Sequence, residues 1–218
     1  MAGGRLDGMV ALVTGAGIGQ GVGGRGPIGP GIGNGIAECL ARDGAKVAIN
    51  DFNPDWAAAT VEQLKGLGAE AWANPGNVAD PAEAKAMVNR TAEHFGQIDI
   101  LVNNAGVSGP AIPVERLPVE DWLRTMGVNL TGPFLTCQAA IPLMRARQFG
   151  RIINISSLAG LRVSVNGGPD YTASKAGLLG LTRHLAIEVT QYGITVNAIC
   201  PGAIVKPLRK AAMSAEEL

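Results

Sequence analysis

Tyr171 and Lys175 stand four residues apart in Tyr171-Thr-Ala-Ser-Lys175, a spacing that puts both side chains on one face of a helix. Apolar positions Ala176, Leu178, Leu179, Leu181, Leu185, Ala186 and Val189 carry that helix to about Gln191. A free tyrosine titrates near ~10 and is no base at neutral pH. A cation ~4 Å away, at an effective dielectric of ~20, is worth ~4 kcal/mol, or about three pKa units. Lys175 would then draw Tyr171 toward neutrality, where a general acid-base works best. A tyrosine and a lysine that share an exposed helix face by chance have the same spacing, so the elements around the pair must decide.

Those elements alternate. Met9 to Thr14, Lys46 to Asn50, Glu70 to Ala73, Ile98 to Val102, Arg151 to Ile155 and Thr195 to Ile199 read as short strands. Between them lie helical patterns: one closed by Gly44, one opened by Asn53-Pro54, and one capped by Asp80-Pro81 that runs to Phe95. Val119 to Met126, Leu130 to Arg147 and the Tyr171 helix complete the set. Largely apolar, non-alternating strands, with Asp99 the exception in the fourth, alternate with helices and predict a doubly wound parallel α/β sheet of at least six strands, covered on both faces. No linker or internal repeat is visible, so residues 1–218 read as a single domain.

Composition narrows the function classes. Lysine plus arginine and aspartate plus glutamate each number 18, and this neutral balance points away from nucleic acid and anionic membranes. No apolar run approaches the ~20 residues of a membrane span, and the N-terminus lacks the pattern of a signal peptide. Cys39, Cys137 and Cys200 are scattered without metal spacing, which reads as free thiols in a reducing cytoplasm and no metal site.

Glycine is concentrated: 11 of the 31 glycines lie between Gly15 and Gly35. A glycine turn between a strand and a helix presents backbone amides to a pyrophosphate. The spacing Thr14-Gly15-Ala-Gly-Ile-Gly19-Gln-Gly21 offers one register. Residues 22–30, with Pro27, Pro30 and four glycines, cannot continue as a helix. The helix is therefore expected to begin near Gly31-Ile32-Gly33, with Gly15 making the turn and residues 18–30 inserted. Asp51, beside Phe52, ends the second strand, where a carboxylate can accept hydrogen bonds from adenosine ribose hydroxyls and repel a 2′-phosphate.

In this order and at these strand ends, Thr14-Gly15 with Gly31-Ile-Gly33, Asn103-Asn-Ala-Gly106, Val128-Asn129-Leu-Thr-Gly132, Ile155-Ser-Ser157, Tyr171-x-x-x-Lys175 and Pro201-Gly202 resemble the short-chain dehydrogenases/reductases. The resemblance runs from about Leu6 to Pro207. It implies a Rossmann-like fold and a catalytic tetrad of Asn129, Ser157, Tyr171 and Lys175. Tyr171 would exchange a proton with the substrate oxygen, Ser157 would hydrogen-bond that oxygen, Lys175 would hold the nicotinamide ribose, and Asn129 would position a water. Asn104 and Gly106 would line the adenosine ribose, Asn77 and Val78 would flank adenine, and Pro201, Gly202 and Ile204 would face the carboxamide.

Departures are visible. Lys206 stands where the family usually has threonine, and Ser157 precedes Tyr171 by one residue more than is commonest. Relatives continue past Pro207 with a substrate-covering helix pair and a seventh strand, so either the sequence given is a piece of a longer chain or the sixth strand is expected as a sheet edge. The implied activity is NAD-dependent oxidation and reduction of a secondary alcohol/ketone pair by a homo-oligomer. Asp51 disfavours NADP, although Arg25 in the insertion could offset it. An NADP-dependent 3-oxoacyl-thioester reductase and a non-catalytic dinucleotide-binding protein are the alternatives.

Overall fold

The computed structural model describes residues 4–19, 31–163 and 167–203. Its six strands are β1 (Val10–Val13), β2 (Lys46–Ile49), β3 (Ala71–Ala73), β4 (Ile100–Asn103), β5 (Gly150–Ile155) and β6 (Ile194–Ile199). All pair in parallel, in the order β3-β2-β1-β4-β5-β6. The chain winds outward one way from β1 and then returns to begin the other half at β4. Above the carboxyl ends of β1 and β4 the two halves part, which opens the crevice where such sheets bind ligands.

The helices are α1 (Ile32–Arg42), α2 (Pro54–Gly66), α3 (Pro81–Phe95), α4 (Val119–Met126), α5 (Gly132–Ala146) and α6 (Pro169–Val189). Strand pleating divides the core between two faces. Ala11 and Val13 of β1 pack with Ala37 of α1 and with Val61 and Leu64 of α2, whereas Leu12 turns to Met87 of α3, Met144 of α5 and Leu185 of α6. These strand residues are all fully buried, as a sheet covered on both sides requires.

The caps follow the sequence. Asn53 accepts from the amides of Asp55 and Trp56, and Pro54 takes the first position of α2. Asp80 accepts from Glu83 N, and Gly96 closes α3 in the left-handed conformation. Between α4 and α5 the helix loosens into one π-helical stretch, Gly127–Thr131, centred on Asn129. Such bulges re-aim side chains, and this one turns Asn129 inward to full burial.

Candidate active site

The crevice is built first by glycine. Gly15 adopts φ +60° directly after β1, and a Cβ there would stand 2.6 Å from Ala105 Cα, so only glycine lets the β1 turn lie against the β4 turn. Asn104 stitches the two together: its Nδ2 donates to Thr14 O at 2.9 Å and Gly15 O at 2.8 Å, and its amide donates to Thr14 Oγ1 at 3.0 Å. Helix α1 starts at Ile32 after Gly31, which has no side-chain cap and open space where a Cβ would sit. Gly33 packs against Asn104 Nδ2, Gly15 O and Ala16 Cα, where a Cβ would collide. The first amides of α1 are therefore uncapped and held against the β1 turn.

Residues 16–19 leave the turn and dock on α2: Thr60 Oγ1 donates to Ala16 O at 2.8 Å, Gly17 N to Asp51 Oδ2 at 3.1 Å, and Ile18 N to Trp56 O at 3.1 Å. Gly19 lies so close to the Trp56 ring that an added Cβ would stand 2.7 Å from it. Arg25 and the rest of residues 20–30 lie outside the described residues.

A cleft of about 730 Å³ opens here, lined by Gly15, Ile32, Gly33, Asp51, Phe52, Asn77, Val78, Asn104 and Gly106. Asn50, Trp56, Gly76, Glu83, Ala105, Val107, Arg124 and Val128 complete the wall. Asp51 is only 6% exposed. Burial raises its carboxyl above the usual range, and the amides of Asn53, Gly17 and Phe52 pull it back down. Phe52 stands 70% exposed at the rim, edge-on to Trp56 with ring centroids 5.4 Å apart. Asn50 Nδ2 donates to the carbonyls of Asn74 and Gly76, fixing the backbone that leads to Asn77 and Val78.

A smaller cleft of about 150 Å³ adjoins it, sharing Ile32, Asn104, Gly106 and Val107 and adding Ser108, Ile155, Ser156, Tyr171 and Lys175. Lys175 is 4% exposed, donates from Nζ to Ile155 O at 2.8 Å, and lies 5.8 Å from the Tyr171 ring centroid. Burial lowers its pKa to about 8, and nearby Cys200 opposes the shift. A Cβ on Gly106 would touch both Asn129 Oδ1 at 3.4 Å and Lys175 Nζ at 3.5 Å, so these two groups converge on one glycine. Asn129 clasps Val107, accepting from its amide and donating to its carbonyl at 2.8 Å each, and also donates to Ser174 Oγ at 3.1 Å.

Ser157 and Asn129 line neither cleft. Ser157 Oγ accepts from Ala159 N at 3.1 Å, capping a single 3₁₀ turn, Leu158–Gly160. That turn leans on the end of β6: Leu158 N donates to Pro201 O at 3.0 Å, and a Cβ on Gly202 would meet Leu158 Cδ1 at 3.3 Å. Gly31 also stays off the cleft wall. Ile204 lies outside the described residues, as does Lys206. Among the described residues no group of three acidic, histidine or cysteine side chains could hold a metal, and no helix is long and apolar enough to cross a membrane.

The family described as "short chain dehydrogenase" matches residues 27–217. The chain belongs to the short-chain dehydrogenase family. A D-beta-hydroxybutyrate dehydrogenase of Rhizobium meliloti is 42% identical over 82% of this chain and 69% of its own length. A 3-oxoacyl-[acyl-carrier-protein] reductase of Staphylococcus aureus is 40% identical over 92% of this chain and 76% of its own. Among solved structures, an NAD+-bound xylitol dehydrogenase superposes with a TM-score of 0.84 at 31% identity, covering 94% of this chain and 74% of that one. As a short-chain dehydrogenase, the chain is an oxidoreductase that acts on alcohol or carbonyl groups, and its family binds NAD(P).

The residues present fit such a dinucleotide: uncapped α1 amides at a glycine that leaves them open, a buried acid at the end of β2, and a long cleft between. What sequence reasoning missed lies mostly behind the cleft wall. Trp56 lines the larger cleft beside Asp51 and Asn50 braces the backbone that leads to Asn77, yet neither belongs to a motif. Trp56 was detectable only as an aromatic residue in the first turn of α2.

Proposed function

We propose that this short-chain dehydrogenase transfers hydride between NAD and a secondary alcohol/ketone pair, with Tyr171 as the general acid-base. One observation carries the reading: the cleft lined by Tyr171 and Lys175 shares the walls Ile32, Asn104, Gly106 and Val107 with the larger cleft at the carboxyl ends of β1 and β2. Bound nicotinamide supplies or accepts the hydride, and the protein supplies orientation and the proton. Tyr171 exchanges a proton with the substrate oxygen. The Ser157 hydroxyl, whose oxygen already accepts from Ala159 N, has its hydrogen free to donate to that same oxygen. Lys175, half-protonated only near pH 8, presents a cation to Tyr171 and to the nicotinamide ribose at neutral pH. Asn129 fixes Val107 at the joint between the two clefts and orders a water beside Lys175.

NAD is preferred because Asp51 projects its carboxylate where a 2′-phosphate would lie. Arg124, a cation on the cleft wall, belongs to α4 and pairs with Asp121 at 3.4 Å. Nicotinamide fluorescence on mixing, followed by turnover of a panel of secondary alcohols with either cofactor, tests the reading. The similarity to a 3-oxoacyl-[acyl-carrier-protein] reductase supports a second reading, reduction of 3-oxoacyl thioesters with NADP, which the same panel separates. The protein works in the cytoplasm as a homo-oligomer, paired through the outer faces of α5 and α6, where Phe134 and Ile187 stand exposed. A monomer by light scattering at micromolar concentration would refute that assembly.

A further inference from the structure

Asp170 is fully buried in the first turn of α6, immediately before Tyr171, yet the reaction as derived makes no use of its carboxylate. Its Oδ2 accepts from Thr125 Oγ1 at 2.6 Å, while Oδ1 has no hydrogen-bond partner among the described residues. A buried carboxylate held by a single donor is costly, so what it packs against must account for it. It packs against two glycines. A Cβ on Gly109 would overlap Oδ2 and stand 2.6 Å from Oδ1. A Cβ on Gly168 would overlap Oδ1 and stand 2.6 Å from Pro110 O. Neither glycine has a positive φ, so their backbones would suit other residues, and it is the carboxylate that leaves no room for a side chain at either.

The loop after β4 is thereby fixed at two points. Asn129 clasps Val107, Asp170 fills the space beside Gly109, and Ser108 between them lines the small cleft together with Tyr171. We infer that Asp170 is a positioning residue, its carboxylate a spacer of fixed size that sets the loop wall at Ser108 against Tyr171 and so sets the width of the small cleft for substrate. The inference rests on the reading of Tyr171 as the acid-base of that cleft. Tyr171 and Lys175 keep their own places through other bonds on α6, Asn129 to Ser174 Oγ and Ser156 Oγ to Lys175 O at 2.9 Å. The spacer therefore acts on substrate binding and leaves cofactor binding alone.

Asp170→Ala removes the spacer, whereas Asp170→Asn keeps its shape and an acceptor for Thr125. With the best substrate of the secondary-alcohol panel, Asp170→Ala should raise KM about tenfold or more, with kcat within about threefold and the dissociation constant for NAD unchanged. Asp170→Asn should stay within about twofold of wild type in KM. Gly109→Ala drives a methyl group into the carboxylate, so its cost in kcat/KM should be at least ~10-fold larger in wild type than in Asp170→Ala, where the space is open. Hydrogen exchange of the Ser108 and Gly109 amides in the full-length protein gives a readout independent of turnover. It should quicken about tenfold or more in Asp170→Ala and stay as in wild type in Asp170→Asn. An Asn variant as impaired as Ala would place the role in the charge and overturn the spacer. So would an equal cost of Gly109→Ala in both backgrounds, or unchanged exchange in Asp170→Ala. Should Asp170→Ala fail to fold, Asp170→Ser, which shortens the side chain and keeps a hydroxyl for Thr125, takes its place. If Tyr171→Phe retains turnover, the acid-base reading fails, while the exchange comparison still decides the spacer.

Discussion

Thr125 donates its hydroxyl to the carboxylate of Asp170 across 2.6 Å, one helical turn before Asn129 donates to Ser174 Oγ at 3.1 Å. Each partner is four residues from the next on its own helix, so the two bonds form rungs between α4 with its π stretch and α6. Tyr171 and Lys175 follow Asp170 and Ser174 by one residue each. Tyr171 and Lys175 are thereby set on a helix whose inner edge is fixed by buried polar contacts.

Thr125→Val tests the first rung. Asp170 is 0% exposed, and its other oxygen has no partner among the described residues, so the substitution leaves a buried carboxylate without a donor. A loss of about 3 kcal/mol in folding stability is expected. Adding Asp170→Asn to that variant should restore part of it, because a neutral amide is easier to bury than a charge. Urea unfolding of the three proteins measures both steps.

Gly33 and Gly31 make opposite predictions although they are two residues apart. Gly33→Ala drives a Cβ into the β1 turn and should lower stability by about 1–3 kcal/mol, displacing the start of α1. Dinucleotide affinity should fall at least ~10-fold. Gly31→Ala meets open space and should change stability by about 0.5 kcal/mol or less. Thermal melts with and without NAD distinguish them.

Lys175 links the site to stability. Burial lowers its pKa from 10.5 to about 8, so the folded state holds this proton less well than the unfolded chain. The destabilisation is complete below about pH 8 and fades as pH rises from 8 toward 10.5, where the folded side chain becomes neutral first. At neutral pH it is on the order of 3 kcal/mol, partly offset by the bond to Ile155 O. Lys175→Met should therefore be more stable than wild type by about 1–2 kcal/mol at pH 7, and inactive. The stability advantage should shrink at pH 10; an advantage that grows with pH would contradict the assignment.

The fold was legible because the signals were redundant. Six apolar strands, Asn53-Pro54 and Asp80-Pro81 all pointed to one architecture, and α4 came out at the expected bounds. The start of α1 at Ile32 was readable from Pro27 and Pro30, which disfavour a helix that starts earlier. Less could be read about what side chains do once placed. Asn129 and Asn104 announce themselves by motif, but nothing local indicates that one clasps Val107 and the other ties β1 to β4. Asp99 interrupts the otherwise apolar run Ile98 to Val102. In the structure it accepts from Val10 N at 2.8 Å, pinning β1 to its neighbour. These are contacts between residues 22 to 90 positions apart, and periodicity carries no trace of them.

The measurement that bears most directly on the whole account is the turnover of Tyr171→Phe, with NAD affinity determined on the same preparation. The substitution keeps the ring over Lys175 and removes only the ionisable oxygen. The account predicts a fall in kcat of at least ~10²-fold with the dissociation constant for NAD changed little. Activity within a few-fold of wild type would contradict it.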